Sequence, residues 1–381
     1  MKVWAVSAVL CLQAFLLLCH WFIYHTMIAF WPAFWPLTPA IRPGLSGALL
    51  VLSTSFVIAA MLGYRYANGL VAFLYKVAAI WLGMFNFLFW AACLCWASAL
   101  VVRVASPMAA QSARSFIGLF WFGAAILTSL YGMINARWIR ERRVTVELPR
   151  LPLSWKGRTA LLVSDMHLGN INAAGFSRRI AGIARRLDPS IIFIAGDLYD
   201  GSKADPAQVA APLFAMKPPL GVYFCGGNHE DFGDPTEYEA ALRRGGIRVL
   251  HNERVSVDEL QVVGVSYADS SYPAHMRTFL DGLHLEDGPA SVLLNHVPHR
   301  LPIVEEAGVS LQLSGHTHGG QVTIEILNQT ANFARFVTPY VCGLYRIDGR
   351  SCYVTPGIGT IGMPVRLGAR PEVSLLRLRK A

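Results

Sequence analysis

Ser164-Asp165-Met166-His167, Gly196-Asp197, Gly227-Asn228-His229-Glu230, Asn295-His296 and Gly315-His316-Thr317-His318 are five short polar clusters within one stretch of the chain. Each stands at or just after the end of an apolar run, the place where an α/β sheet carries its chemistry. Residues 159–164, 191–195 and 222–225 read as buried strands. Between the first two, Phe176, Ile180, Ile183, Ala184 and Leu187 recur at helical spacing. A second helix is expected over 206–216 and a third from Pro235 to Gly245-Gly246. Strand, helix, strand in alternation predicts an α/β core. Beyond Arg248 the chain turns strand-rich, at 248–250, 260–265, 292–294, 311–313, 322–326, 352–355 and 373–378. Two sheets packed face to face, with helices outside, accommodate this order.

Upstream the texture is different. Residues 1–136 contain no Asp or Glu, and their only basic residues are Lys2, Arg42, Arg65, Lys76, Arg103 and Arg114. Four apolar segments, 3–22 (continuing toward Phe30), 45–64, 77–102 and 116–136, each reach the ~20 residues that a spanning helix needs. Trp31-Pro32-Ala33-Phe34-Trp35-Pro36 is expected as a break at one interface. A secretory signal is the alternative for the first segment, but no small-residue cleavage site follows it, which favours a retained helix. His20, His25 and Lys76, with Gln13, Asn86 and Asn135 as polar extras, are a thin set for a transport path. Anchoring is the expected role. Lys2, Arg65, Lys76, Arg137, Arg140, Arg142 and Arg143 share one side if four helices cross, which places the following half in the cytoplasm of a cell whose inner membrane holds the anchor.

The division expected is 1–136 transmembrane, 137–154 a basic juxtamembrane linker and 155–381 catalytic. The net charge of +9 belongs mostly to the membrane half and its flank. No basic binding module for nucleic acid is present. Seven cysteines without paired spacing suit a reducing compartment.

The clusters supply Asp165, His167, Asp197, Asn228, His296, His316 and His318 as metal-ligand types. Asp165 and His167, two apart at a strand end, can project to one side, and His316 and His318 do the same about Thr317. His316 and His318 can therefore serve one ion or two. Carboxylate and amide oxygens mixed with imidazoles suit Mn, Fe, Zn or Co, with Mn the first choice. A metal pair is a device for in-line attack on phosphorus. His229, beside Asn228 and without a metal, is placed to donate a proton to the leaving oxygen. A single such residue is more often structural. Five clusters in one order, each after a strand, are hard to assign to packing. His251, His275 and His284 read as surface or packing residues. His299 divides between substrate contact and helix start, and Arg300 and Arg366 between phosphate contact and ordinary surface.

The ordered set Asp-x-His, Gly-Asp, Gly-Asn-His-Glu, His and Gly-His-x-His resembles the calcineurin-like metallophosphoesterase superfamily over about residues 155–378. Gly315-His316-Thr317-His318-Gly319-Gly320-Gln321 and Tyr353-Val354-Thr355-Pro356-Gly357-Ile358-Gly359-Thr360 are similar to its membrane-associated YkuE/YaeI-type branch. The resemblance implies a four-layer α/β/β/α sandwich. It implies that Asp165, His167, Asp197 and His318 hold one ion, and that Asp197, Asn228, His296 and His316 hold the other. Asp197 would bridge, and His229 would be the acid. It also implies a phosphodiester or pyrophosphate substrate, lipid-linked or nucleotide, with the UDP-2,3-diacylglucosamine pyrophosphatases of lipid A synthesis among similar enzymes. A non-catalytic metal-bound sensor module and a transporter with an appended domain are the other classes.

Overall fold

The computed structural model describes residues 3–32, 35, 38, 41–283, 285, 288–326, 329–347 and 350–381. His284 and residues 33, 34 and 36 of the expected interfacial break lie outside them. The chain divides into two compact units, Met1–Ile134 with Gly362–Val365, and Asn135–Ile361 with Arg366–Ala381.

The first unit is built on four helices, α1 (Val3–Ala29), α2 (Ile41–Arg65), α3 (Gly69–Ala105) and α4 (Ala110–Arg137). All four are long and apolar enough to cross a membrane. At 37 residues, α3 is longer than its apolar core suggests. Polar groups inside the bundle are paired across helices. Trp81 donates from Nε1 to His20 Nε2 at 3.0 Å, while His20 Nδ1 meets Leu16 O at 2.8 Å. Trp96 donates to Thr26 Oγ1 and Trp121 to Ser98 Oγ, each at 2.9 Å. In hydrocarbon an indole N–H needs such a partner, and each bond contributes roughly 0.6 kcal/mol. With both nitrogens engaged, His20 clamps α1 to α3.

Among the described residues the second unit contains fourteen strands. They are β1 (Arg140–Leu148), β2 (Thr159–Val163), β3 (Ile191–Ala195), β4 (Val222–Cys225), β5 (Arg248–Val249), β6 (Glu253–Val257) and β7 (Leu260–Gly264). There follow β8 (Ser291–Leu294), β9 (Leu311–Ser314), β10 (Ile324–Ile326), β11 (Gln329–Ala331), β12 (Gly343–Ile347), β13 (Arg350–Val354) and β14 (Glu372–Lys380). One six-stranded sheet runs β1-β14-β2-β3-β4-β5, a second runs β12-β13-β9-β8-β7-β6, and β10 and β11 form a hairpin.

Alternation along the strands sets the layers. Leu162, Phe193 and Leu376 of the first sheet meet Val262, Leu294 and Leu313 of the second in one core. Leu161, Val163, Ile192 and Ile194 face the other way, onto Ile180 and Ile183 of α5 (Ala174–Leu187). Val263 and Leu293 pack on Met276, Leu280, Ile303 and Val304 on the far side. Helix, sheet, sheet and helix form the four layers expected. Each fully buried aliphatic side chain contributes about 1.5–3 kcal/mol.

Two local expectations change. Arg140–Leu148, within the segment read as a linker, is β1 and pairs in parallel with all nine residues of β14. Its Val146 and Leu148 are wholly buried, while Glu141, Arg143, Thr145 and Glu147 form the exposed outer row. The helix expected over 206–216 is α-helical only over Pro206–Ala210 and tightens to a 3₁₀ turn at Ala211–Ala215, where Pro212 lacks the amide an α-helix would use.

Candidate metal centre

The clusters follow the carboxyl ends of β2, β3, β4, β8 and β9, adjacent strands within the two sheets. The way they point is not strand alternation. Asp165, His167, Asp197, His316 and His318 all have positive φ, at 55°, 47°, 49°, 69° and 50°. The backbone turns left-handed at each, a conformation that Asp and His tolerate better than branched residues. Main-chain bonds hold it there. Asp165 N donates to Gly196 O and His167 N to Asp197 O, both at 3.1 Å, and Gly359 N donates to Asp165 O at 2.7 Å. Gly196 has φ +81°, and a Cβ there would lie 2.5 Å from His296 Nδ1. Gly357 has φ +68°, and its Cβ would lie 2.6 Å from the Asp165 Cβ.

The side chains converge in two sets. Asp165, His167 and His318 place ligand atoms within 4.8 Å of one another, and so do Asp197, His296 and His316. His167 Nε2 faces His318 Nε2 at 3.0 Å, and His318 Nε2 lies 3.5 Å from Asp165 Oδ1. In the second set His296 Nε2 lies 3.0 Å from Asp197 Oδ2 and 3.3 Å from His316 Nδ1. Asn228 Oδ1 joins it, 2.9 Å from His316 Nδ1. Asp197 Oδ2 also reaches toward His167 Nε2 at 3.9 Å, so one carboxylate faces both sets. His229 shares a cluster with His167 and Asp197. Its ring is set edge-on to His167 at 4.5 Å, and its Nδ1 meets Asp200 O at 3.2 Å.

Burial governs the charges. It pushes His167 down to about 3, against the pull of Asp197, and His316 likewise to about 3 with the help of the His296 charge. Both imidazoles are therefore neutral nitrogen donors. Burial pushes Asp165 up to about 6, with the Asp197 charge adding and His296 opposing. Burial would also raise Asp197, but His296 outweighs it and holds that carboxyl well below its ordinary range. The same partnership lifts His296 to about 10 against its burial.

This donor set fits cations. Asp165 Oδ2 and His167 Nδ1 are buried without a hydrogen-bond partner among the described residues. The Nε2 atoms of two neutral imidazoles, His167 and His318, converge beside that carboxylate, as donors around one cation would. His296 Nδ1 meets Ala195 O at 2.8 Å, which fixes the ring and turns Nε2 toward Asp197 and the cluster.

Three residues outside the expected set hold the site together. Glu230, 2% exposed, accepts from the amides of Asp197 at 3.0 Å, Tyr199 at 3.0 Å and Gly227 at 2.7 Å. Asp200 Oδ2 accepts from Asn170 N and Oδ1 from Ser202 N, each at 2.9 Å. Arg366 is neither at the surface nor open to phosphate. It is wholly buried and donates to Gly359 O, Pro356 O and His318 O at 2.7–3.1 Å, with Nη2 3.3 Å from His318 Nδ1. The Glu in Gly-Asn-His-Glu and the Asp three residues after Gly-Asp were the available signals for the first two. Arg366 sits in Pro364-Val-Arg366, which carries no signal of its own. His299 stands beside the cluster, its ring 6.0 Å from His316, and Arg300 binds Ser271 O at 2.9 Å. His251 and His275 are exposed and lie near Glu239 and Asp269, consistent with surface roles.

The profile of the calcineurin-like phosphoesterase family matches residues 159–320. A "transmembrane protein with metallophosphoesterase domain" from Danio rerio is 35% identical over 281 residues, which make up 68% of this chain and 62% of that protein. The chain thus spans about three fifths of that relative's length. An uncharacterized metallophosphoesterase from Aquifex aeolicus is 31% identical over 67% of this chain and 97% of its own length. The uncharacterized metallophosphoesterase YkuE of Bacillus subtilis is 26% identical over 71% of this chain and 99% of its own.

Proposed function

The chain belongs to the calcineurin-like metallophosphoesterases, and from that premise we propose a membrane-anchored phosphoesterase that uses two divalent ions to hydrolyse phosphodiester or pyrophosphate bonds in a lipid-linked or nucleotide substrate. The observation that carries this reading is Asp197, whose one carboxylate faces both sets of nitrogen and oxygen donors. Asp165, His167 and His318 would hold one ion, Asn228, His296 and His316 the other, and Asp197 would serve both. When bound, the ions supply an activated water and neutralise charge on the phosphoryl oxygens. Manganese is the first choice for such mixed ligands.

The chain's own groups do the rest. Burial keeps His167 and His316 neutral and therefore available as donors. Asp200 O fixes the His229 ring through Nδ1–H, which leaves Nε2 to carry a proton to the oxygen released as the P–O bond breaks. Glu230 and Arg366 lock the loops bearing Asp197 and His318.

Residues 1–136 serve as the anchor and 155–381 as the catalytic domain. The four spans and the relative named as a transmembrane protein make this a membrane protein. The distribution of Lys and Arg favours an inner membrane with the catalytic domain in the cytoplasm. A lipid-linked nucleotide such as UDP-2,3-diacylglucosamine suits that placement.

The test uses detergent-purified protein with Mn²⁺. UMP release from UDP-2,3-diacylglucosamine is followed beside hydrolysis of bis-(p-nitrophenyl) phosphate. UMP release that disappears in Asp197→Asn is the expected result. Hydrolysis of the artificial diester alone moves the search to other lipid phosphates. No hydrolysis of either overturns the phosphoesterase reading.

A further inference from the structure

Several exposed apolar side chains of the second unit lie on segments hydrogen-bonded to the loops that carry the candidate ligands. Phe333, Phe336 and Val337 are 74%, 87% and 69% exposed, on and just after a single 3₁₀ turn. That turn is fastened to the loop carrying His318. Asn332 caps it by accepting from Ala334 N at 2.9 Å, and donates from Nδ2 to Gly319 O at 2.9 Å. The same loop holds Ile361. Gln321 donates from Nε2 to Ile361 O at 3.1 Å and accepts from Ile361 N at 2.9 Å, while the Ile361 side chain is 45% exposed. Phe232, also exposed, sets its ring 4.9 Å from that of His229. The segments bearing these apolar groups are thus tied to the loops of the site rather than scattered.

The chemistry of this rim selects a partner. Residues 329–347 include no Asp or Glu, and their basic residues are Arg335 and Arg346. Arg346 lies 3.4 Å from Glu147, while Arg335, between the two phenylalanines, is exposed and has no acidic partner among the described residues. Aromatic side chains with an interspersed cation match the boundary between acyl chains and anionic headgroups. Four spanning helices keep this chain at a bilayer, so such a boundary is always near. An exposed apolar patch beside a polar site otherwise marks a covered surface.

We infer that Phe333, Phe336, Val337 and Ile361 seat in the interface of an anionic bilayer, with Arg335 on lipid phosphates, so that the metal cluster opens at the membrane surface. This holds whichever phosphate ester is cleaved.

The test uses the full chain in phosphatidylcholine–phosphatidylglycerol vesicles, with the exposed Cys11 and Cys342 replaced by Ser. The fluorophore NBD is attached at Phe336→Cys and, as control, at Glu259→Cys. The expected result at 336 is blue-shifted emission, loss of emission with brominated lipid and protection from iodide, none of which appears at 259. Arg335→Glu should reduce the bromolipid effect. Iodide quenching at 336 equal to that at 259 overturns the inference. Protection from iodide without bromolipid quenching also overturns it, because a protein partner then covers the rim. If Phe336→Cys does not fold, Val337→Cys carries the same test.

Discussion

Replacing Glu230 tests whether the site is assembled by its scaffold or only by its metals. The carboxylate ties the loop after β3 to the loop after β4, taking amides from Asp197 and Tyr199 on one side and Gly227 on the other. Glu230→Ala orphans three buried N–H groups, at about 1–3 kcal/mol each and so roughly 3–9 kcal/mol together. That rivals the whole stability of a typical domain, about 5–15 kcal/mol, so the alanine variant is expected not to fold. Glu230→Gln is the informative change. Its shape is kept and its amide oxygen still accepts, but its NH₂ now faces a backbone donor. One orphaned amide costs about 1–3 kcal/mol, a fall in Tm of roughly 2–12 °C for a domain of this size. Because Asp197 loses its anchor, Mn²⁺ affinity measured by isothermal titration should fall with Tm. A Glu230→Ala protein that melts within about 1 °C of wild type and binds Mn²⁺ normally would refute the reasoning, since no buried amide can then have lost a partner.

His229→Ala should lower turnover by about 10²–10⁴-fold, and the loss should be smaller for a p-nitrophenolate leaving group, which needs less proton donation; equal losses on good and poor leaving groups would remove the acid assignment. Gly357→Ala sets a Cβ 2.6 Å from that of Asp165 at φ +68°, so Mn²⁺ affinity should drop, and the left-handed penalty of about 1–2 kcal/mol adds to an overpacking cost of about 1–3 kcal/mol. In metal-free protein His296 titrates at about 10, above its ordinary 6.5, because the Asp197 partner outweighs burial. That pairing contributes stability fully present below 6.5 and lost as pH rises through 10. Thermal melts of chelator-treated protein should therefore weaken across this window. Metal loading at pH 7 should release protons, seen as a titration enthalpy that depends on the buffer; a buffer-independent enthalpy would contradict it.

The layers were legible because apolar runs and turn residues agree with them: Ile191–Ala195 and Val222–Cys225 are strands to the residue. Strands without a continuous apolar run escaped. β1 opens Arg140-Glu141-Arg142-Arg143, and its charged row hides the alternation of Val144, Val146 and Leu148. β6 and β12 are edge strands of their sheet and carry mixed residues for the same reason. Around the site, the residues that meet one another were visible as motifs, whereas Arg366 was not. Its guanidinium is satisfied by backbone carbonyls, which leave no trace in side-chain chemistry.

What the motifs could not reveal is how the candidate ligands are aimed. Alternation along a strand would explain Asp165 with His167, and His316 with His318, but β2 ends at Val163 and β9 at Ser314. The four residues lie beyond the strands with positive φ, as does Asp197. A non-glycine left-handed residue costs roughly 1–3 kcal/mol unless its surroundings impose it. Five at one site make it unfavourable for the scaffold alone, before the mutual approach of His167 and His318 is considered. The opposing forces are the main-chain bonds from Gly196, Asp197 and Gly359, the Glu230 carboxylate and the Arg366 fork. These act whether or not an ion is bound, so the scaffold prepays part of the ordering that metal binding would otherwise require. A metal bound there would gain affinity from donors already converged rather than from loops it must first fold.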